Sequence, residues 1–327
     1  MIIYGVFDLN YQHDPIMNLG LEKYKDKISD EYVLILGLGS NGNSILPFNL
    51  HNDYNVKKWK SMNKKIIYLD FEEGSSFYQP FLSNNLNLYE YENICFKIFS
   101  ICPYTCSYIN ERFNTNKRIF MPFFYNNDNI IKDINYDSKT NDVIYTGGIN
   151  SITKLQREYS PIYTIYEVIH KYEKYIWIGG NANNYHAPSY NSKLKAYVDS
   201  KISIIHNVLC QDSLDETYLN IFKDTYHYKY TGTTKLVPQI KSRLFESAFN
   251  KCIILCYKDE YKSIEKLFKE GEDFLYWKTK EELQELIDKI LNNYDNYKYL
   301  SENAFNKAIN NYTTEKFIDN ILIPNLN

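Results

Sequence analysis

Ten short apolar runs, three to six residues each, constrain this chain more than any other feature. They are Ile2–Phe7, Tyr32–Leu36, Lys65–Leu69, Cys95–Phe99 and Arg118–Phe120, then Asp142–Tyr145, Tyr175–Ile178, Ile202–Ile205, Cys252–Cys256 and Phe274–Tyr276. Continuous runs of this length suit strands covered on both faces, as in parallel sheets. Helical patterns lie between them. "SPIYTIYEVIHKYEK" opens with Ser160 as N-cap and Pro161 at the first helical position. "KTKEELQELIDKILNNY" places Thr279 three residues before Glu282, a capping box, and sets Leu283, Leu286, Ile287, Ile290 and Leu291 on one face. Strands alternating with helices predict an α/β fold.

The two series of runs are separated by "YNNDNIIKDINYDSKTND", a polar stretch over 125–142 that reads as a linker. With 327 residues the chain fits two domains rather than one small core. The expectation is two Rossmann-like domains facing across a cleft. They would span residues 1–135 and 136–312, with a terminal helix over 313–327 crossing back to the first.

Hydrophobic residues make up 44% of the chain and the formal net charge is −3. A domain built to hold nucleic acid carries a basic excess, so that class is disfavoured. The six cysteines include Cys102-x3-Cys106 and Cys252-x3-Cys256, spacings too wide for CxxC, with no histidines at zinc-finger distance. They read as free core thiols of a reducing compartment. "MIIYGVFDLNYQHD" lacks the basic start of a signal peptide. No apolar run approaches the ~20 residues that span a bilayer. The expectation is a soluble, cytoplasmic protein.

"YVLILGLGSNGN" offers Gly37-x-Gly39-x-x-Gly42 after an apolar run. A dinucleotide fingerprint needs its third glycine inside the start of a helix. Here "NSILPFNLHNDYN" follows, with an early Pro47 and no helical period. The acid closing the next strand, Asp70, comes 28 residues after Gly42, where the fingerprint asks for roughly 20. NAD binding is therefore disfavoured. A tight turn, or a turn whose Gly39 and Ser40 meet a phosphate or an acceptor hydroxyl, fits better.

"VPQIKSRLFESAFNKCIILC" is read as a loop, a short helix and a buried strand. Lys241 and Arg243 stand at the helix start, where two cations and the helix N-terminus favour an anion such as a diphosphate. Glu246, one turn on, has the chemistry to accept hydrogen bonds from a ribose diol. An ordinary amphipathic helix with solvated charges is the competing reading.

These residues resemble the C-terminal half of GT-B glycosyltransferases of the glycosyltransferase 4-like (group 1) type. The family's "R-x-F-E-x-A" core matches Arg243, Phe245, Glu246 and Ala248, and its "F-x-x-G-x-(E/D)" segment matches Phe268, Gly271 and Asp273. "DVIYTGGIN", "YIWIGGNA" and "YVDSKISIIHN" resemble the preceding strands and glycine turns, and "SENAFNKAINNYTTEKFIDNIL" resembles the closing segment. The resemblance covers roughly residues 140–320. It departs in two places. Pro238 stands eight residues before Glu246, where a retaining enzyme of this type has the first of its two glutamates, so the stereochemical outcome is open. Asn250 replaces a helix-ending glycine, a position where Asn tolerates the left-handed conformation.

The resemblance implies a glycosyltransferase with a nucleoside-diphosphate sugar as donor substrate, a glycan-type acceptor and no required cofactor or metal. Lys241 and Arg243 would stabilise the leaving diphosphate, Gly147 and Gly148 would let backbone approach it, and Glu246 would hold the ribose. Phe245, His206 and Asn207 are further candidate donor contacts. If the reaction inverts, a base is needed in the first domain, and Asp70 and Glu72 of "YLDFEEGSS" are the candidates; a solvated acidic loop is the plainer reading. Metal binding by the scattered His186, His206 and His227 is disfavoured. Two alternatives stay open: a non-catalytic nucleotide- or sugar-binding protein on the same scaffold, and an enzyme glycosylating modified DNA bases.

Overall fold

The computed structural model describes residues 1–4, 19–37, 53–71, 93–101, 103, 106, 107, 110, 111, 114–147, 161–177, 190–210, 236–238 and 240–326. The chain divides into two compact units. One comprises Met1–Asp128 with Thr313–Asn327, the other Asn129–Tyr312.

The first unit holds β1 (Ile2–Tyr4), β2 (Tyr32–Gly37), β3 (Lys65–Asp70), β4 (Lys97–Ser100) and β5 (Arg118–Phe120). They form one sheet in the order β1-β2-β3-β4-β5, every neighbouring pair parallel. Val33, Leu34 and Ile35 are consecutive and all fully buried, so both faces of β2 are covered. Helix α1 (Tyr54–Ser61) is started by Asp53, whose carboxylate accepts from the Val56 N–H, and it buries Val56 and Trp59 against Ile66 and Tyr68. The C-terminal segment completes this unit. Thr314 N–H donates to the Tyr125 carbonyl at 2.8 Å. Phe317 stacks on Phe124 with ring centroids 4.1 Å apart and meets Phe99 edge-on.

The second unit holds β6 (Asn141–Thr146), helix α2 (Pro161–Ile169), β7 (Lys174–Trp177), helix α3 (Tyr190–Val198) and β8 (Ser200–Ile205). After them come β9 (Val208–Cys210), β10 (Leu236–Pro238), helix α4 (Ser242–Phe249), β11 (Ile253–Tyr257), β12 (Phe274–Trp277) and helices α5 (Lys280–Asn292) and α6 (Lys298–Asn311). The main sheet runs β12-β11-β8-β6-β7, parallel throughout. The first strand of the unit, β6, lies inside the sheet. The chain goes to one side for β7, then crosses to the other for β8, β11 and β12. Thr279 and Glu282 form the expected capping box at α5.

All ten apolar runs contribute a strand at the expected place. The short antiparallel pair β9–β10 has no counterpart in the sequence reading, because three-residue strands leave no period to detect. Two local readings are corrected. The left-handed residue after α4 is Lys251, at φ 52°, and not Asn250, at φ −109°; Asn250 instead donates from its side chain to the Glu246 carbonyl. Much of the polar stretch 125–142 is built into the fold. Ile134 is buried, Tyr136 hydrogen-bonds Ser301, and Lys139 is buried with its ammonium donating to the carbonyls of Val198, Ser200 and Asn250. Burial lowers the Lys139 pKa, and three carbonyl partners fill its three donors. Cys95, Cys106, Cys252 and Cys256 are buried and form no disulfide, as expected of core thiols. Burial pushes the Cys252 thiol up to about 11.

Candidate functional site

An open parallel sheet binds ligands outside the carboxyl ends of its strands, at the point where strand order reverses. In the second unit that point lies between β6 and β8. The residues ending these strands are Tyr145, Thr146 and Gly147 on one side and His206 and Asn207 on the other. Helix α4 adds Lys241, Arg243 and Glu246.

Lys241 is the N-cap of α4 and Arg243 its second residue. Both are half-buried. No side chain caps the helix, so its first N–H groups and the two cations together favour an anion. Asn207 holds the helix start in place: its Oδ1 accepts from the Lys241 N–H at 3.2 Å, and its Nδ2 faces the Cys256 sulfur.

The Arg243 guanidinium is fixed by three contacts with two neighbours. Nη1 donates to the Tyr145 hydroxyl at 3.2 Å and lies 3.4 Å from His206 Nε2. The guanidinium carbon sits 5.3 Å from the centre of the Tyr145 ring, a cation–π contact. The Tyr145 hydroxyl is itself 3.3 Å from His206 Nε2. His206 Nδ1 lies 2.9 Å from the Val208 carbonyl, which only accepts, so Nδ1 carries the proton and Nε2 is left as an acceptor. Burial, then Arg243 and Lys241, hold the His206 pKa well below its ordinary value. The imidazole is therefore neutral and supports the cation beside it. Gly147 completes the arrangement. A Cβ there would fall 2.6 Å from the Tyr145 hydroxyl and 2.7 Å from Arg243 Nη1, so any side chain displaces the guanidinium.

Glu246 is fully buried. Its Oε1 accepts from Lys193 of α3 at 2.7 Å, an ion pair with almost no exposed surface. Its Oε2 is buried without a hydrogen-bond partner. Tyr197, also on α3, donates to or accepts from Thr146 at 2.6 Å. Its pKa is raised well above the ordinary value, first by burial and next by Glu246.

The structure thus brings together Gly147, His206, Lys241, Arg243 and Glu246. It assigns other work to three candidates. Phe245 packs in the core: it is fully buried and meets Phe268 and Tyr312 edge-on. Asn207 is fully buried with both ends of its amide engaged, so it positions α4. Asp70 does not stand free as a general base. It is 2% exposed, and its carboxylate lies 3.8 Å from Nη1 of the buried Arg118, which also donates to Ser100. A base must reach the hydroxyl it deprotonates, whereas this pair is internal to the first unit. Gly39, Ser40, Glu72, Gly148, His186 and His227 lie outside the described residues. Among the described residues there is no group of three or more His, Cys, Asp or Glu that could hold a metal ion, and no helix is long and apolar enough to cross a membrane.

Sequence reasoning missed Tyr145, Lys193 and Tyr197. Tyr145 had a usable signal, two residues before the glycine turn of its strand. Lys193 and Tyr197 had only their four-residue spacing, which places them on one helical face.

Residues 179–323 match a family model described as Glycosyl transferase-like. A TarM variant from S. aureus, solved in complex with fondaparinux, alpha-GlcNAc-glycerol and UDP, is 12% identical with a TM-score of 0.51, over 92% of this chain and 57% of that one. Sucrose-phosphate synthase from Thermosynechococcus elongatus is 8% identical with a TM-score of 0.51, over 94% and 76%. A glycosyltransferase from Rickettsia africae ESF-5 is 14% identical with a TM-score of 0.48, over 89% and 88%. No curated protein matches the chain in sequence. The fold is GT-B. The chain spans little more than half the length of TarM.

Proposed function

We propose that this protein is a glycosyltransferase. It moves a sugar from a nucleoside-diphosphate donor, held by the second unit, to the hydroxyl of a glycan-type acceptor, free or linked to lipid or protein. The observation that carries the proposal is the half-buried pair Lys241 and Arg243 at the uncapped start of α4, beside the strand-order reversal. A leaving diphosphate gains negative charge in the transition state. Fixed cations and helix N–H groups aimed at it lower the barrier by electrostatic preorganisation. Tyr145, His206 and the absent side chain of Gly147 hold Arg243 in one orientation for that task. The UDP bound to the TarM variant makes UDP the first nucleotide to test. We place acceptor binding on the first unit, the whole protein in the cytoplasm, and no nucleic acid among its partners.

Titration calorimetry with UDP tests this. Lys241→Ala and Arg243→Ala should each weaken binding by about 1.5–3 kcal/mol, the worth of a hydrogen bond to a charged group. Unchanged affinity in the double variant would move the phosphate site elsewhere. A second reading, a non-catalytic nucleotide-sugar-binding protein, is favoured by Pro238 at the position of the first glutamate and by the engagement of Asp70 with Arg118. Donor turnover separates the two: release of UDP from UDP-sugars, with or without added glycans, supports the enzyme.

A further inference from the structure

The sequence reading lets Glu246 accept from both hydroxyls of a ribose. The structure closes one of its oxygens. Oε1 is held by the Lys193 ammonium at 2.7 Å, and both side chains are buried. Oε2 is equally buried and has no hydrogen-bond partner. A buried carboxylate oxygen without a donor is costly, and native structures seldom leave one so. The carboxylate cannot solve this alone. Turning it exchanges the two oxygens and leaves the same deficit. Among the described residues, the Tyr197 hydroxyl is paired with Thr146, and Asn250 binds the Glu246 backbone carbonyl.

We propose that Lys193 is a positioning residue that orients Glu246 by holding Oε1, so that Oε2 alone accepts from one hydroxyl of the donor ribose. The inference rests on the reading of this site as a nucleoside-diphosphate site and deepens it. A buried carboxylate needs a cation to offset its desolvation. Lys193 supplies it from α3, a different helix from the one that carries Glu246, so the pair also ties α3 to α4. The consequence is asymmetry. A bidentate carboxylate treats the 2′ and 3′ hydroxyls alike, whereas a single accepting oxygen distinguishes them.

The experiment compares UDP, 2′-deoxy-UDP and 3′-deoxy-UDP by titration calorimetry on the full chain, first without any substitution. One deoxy analogue should bind about tenfold or more weaker than UDP, the scale of one hydrogen bond to a charged group, and the other within about twofold of UDP. Comparable large losses for both analogues would overturn the single-oxygen inference while keeping Glu246 as a ribose reader. No loss for either, with UDP still bound, would overturn the role of Glu246 altogether, and no saturable UDP binding would overturn the underlying site. Lys193→Met, checked for native circular dichroism, should bind UDP more weakly and treat the two deoxy analogues alike, and Lys193→Arg should restore the difference. A folded Lys193→Met that discriminates as strongly as the unsubstituted protein would reduce Lys193 to a structural residue. Should that variant not fold, the analogue series on the unsubstituted protein still decides between one oxygen and two.

Discussion

The two sheets are built from the same kind of strand and end differently. In the first unit the described strands succeed one another in a single direction, β1 to β5. Among the described residues there, Asp70 at the end of β3 faces Arg118, which opens β5 and also donates to Ser100. In the second unit strand order reverses between β6 and β8, and two cations stand together there. Lys241 and Arg243 stand half-exposed at a helix start, a neutral histidine supports one of them, and a buried glutamate keeps one oxygen unpaired. Five-stranded parallel sheets thus end in an internal ion pair in one unit and in a pair of half-buried cations in the other. The order of the strands, not their composition, decides which edge is left open to a ligand.

The first unit depends on a segment that the chain supplies last. Phe317, Ile318, Leu322 and Leu326 are all buried, and Tyr32 donates to the Leu326 carbonyl. Deleting residues 313–327 removes four side chains worth about 1.5–3 kcal/mol each, on the order of the whole stability of a domain. Amide exchange should lose its protection across β1–β5 and retain it across β6, β8 and β11. Retained protection in β1–β5 would show that the tail is an ornament to this unit.

Next in size is the internal ion pair. Asp70→Ala should destabilise the first unit by about 3–5 kcal/mol, because it leaves a buried guanidinium without its carboxylate. Chemical denaturation measures this. A stable Asp70→Ala protein with abolished sugar transfer would restore Asp70 as a catalytic base and erase the contrast between the two edges.

The strands were legible because consecutive apolar residues have one good explanation, burial on both faces. Lys241, Arg243 and Glu246 were legible because their spacing on one helix puts cations at its start and a carboxylate one turn on. Asp70 and Phe245 were misread for a shared reason. Each sits at a suggestive place in the chain, but only the fold reveals whether a side chain points into the core, and Phe268, Tyr312 and Arg118 lie far away in sequence. Lys193 was invisible for the opposite reason. In "NSKLKAYV" one lysine is buried and the next, Lys195, is exposed, and nothing local tells them apart.

A smaller effect sharpens the electrostatic side of the comparison. The His206 pKa is lowered in the folded state, so below the ordinary histidine value the unfolded chain binds a proton that the native protein refuses. Stability from this group is fully present above pH ~6.5 and is lost as pH falls below it, by about 1.4 kcal/mol per pH unit. The loss continues down to the depressed folded value. Replacing His206 by Gln should remove that part of the slope between pH 6.5 and 5. Equal slopes for both proteins would mean that His206 is protonated in the native state and repels Arg243.

The central claim is that the donor diphosphate sits at the strand-order reversal of the second unit. Hydrogen exchange with and without saturating UDP tests it directly. The account predicts new protection at Gly147, at Asn207–Val208 and at Ser242–Leu244, with β3–β5 unchanged. Protection at the ends of β3, β4 and β5, with none at the start of α4, would contradict it.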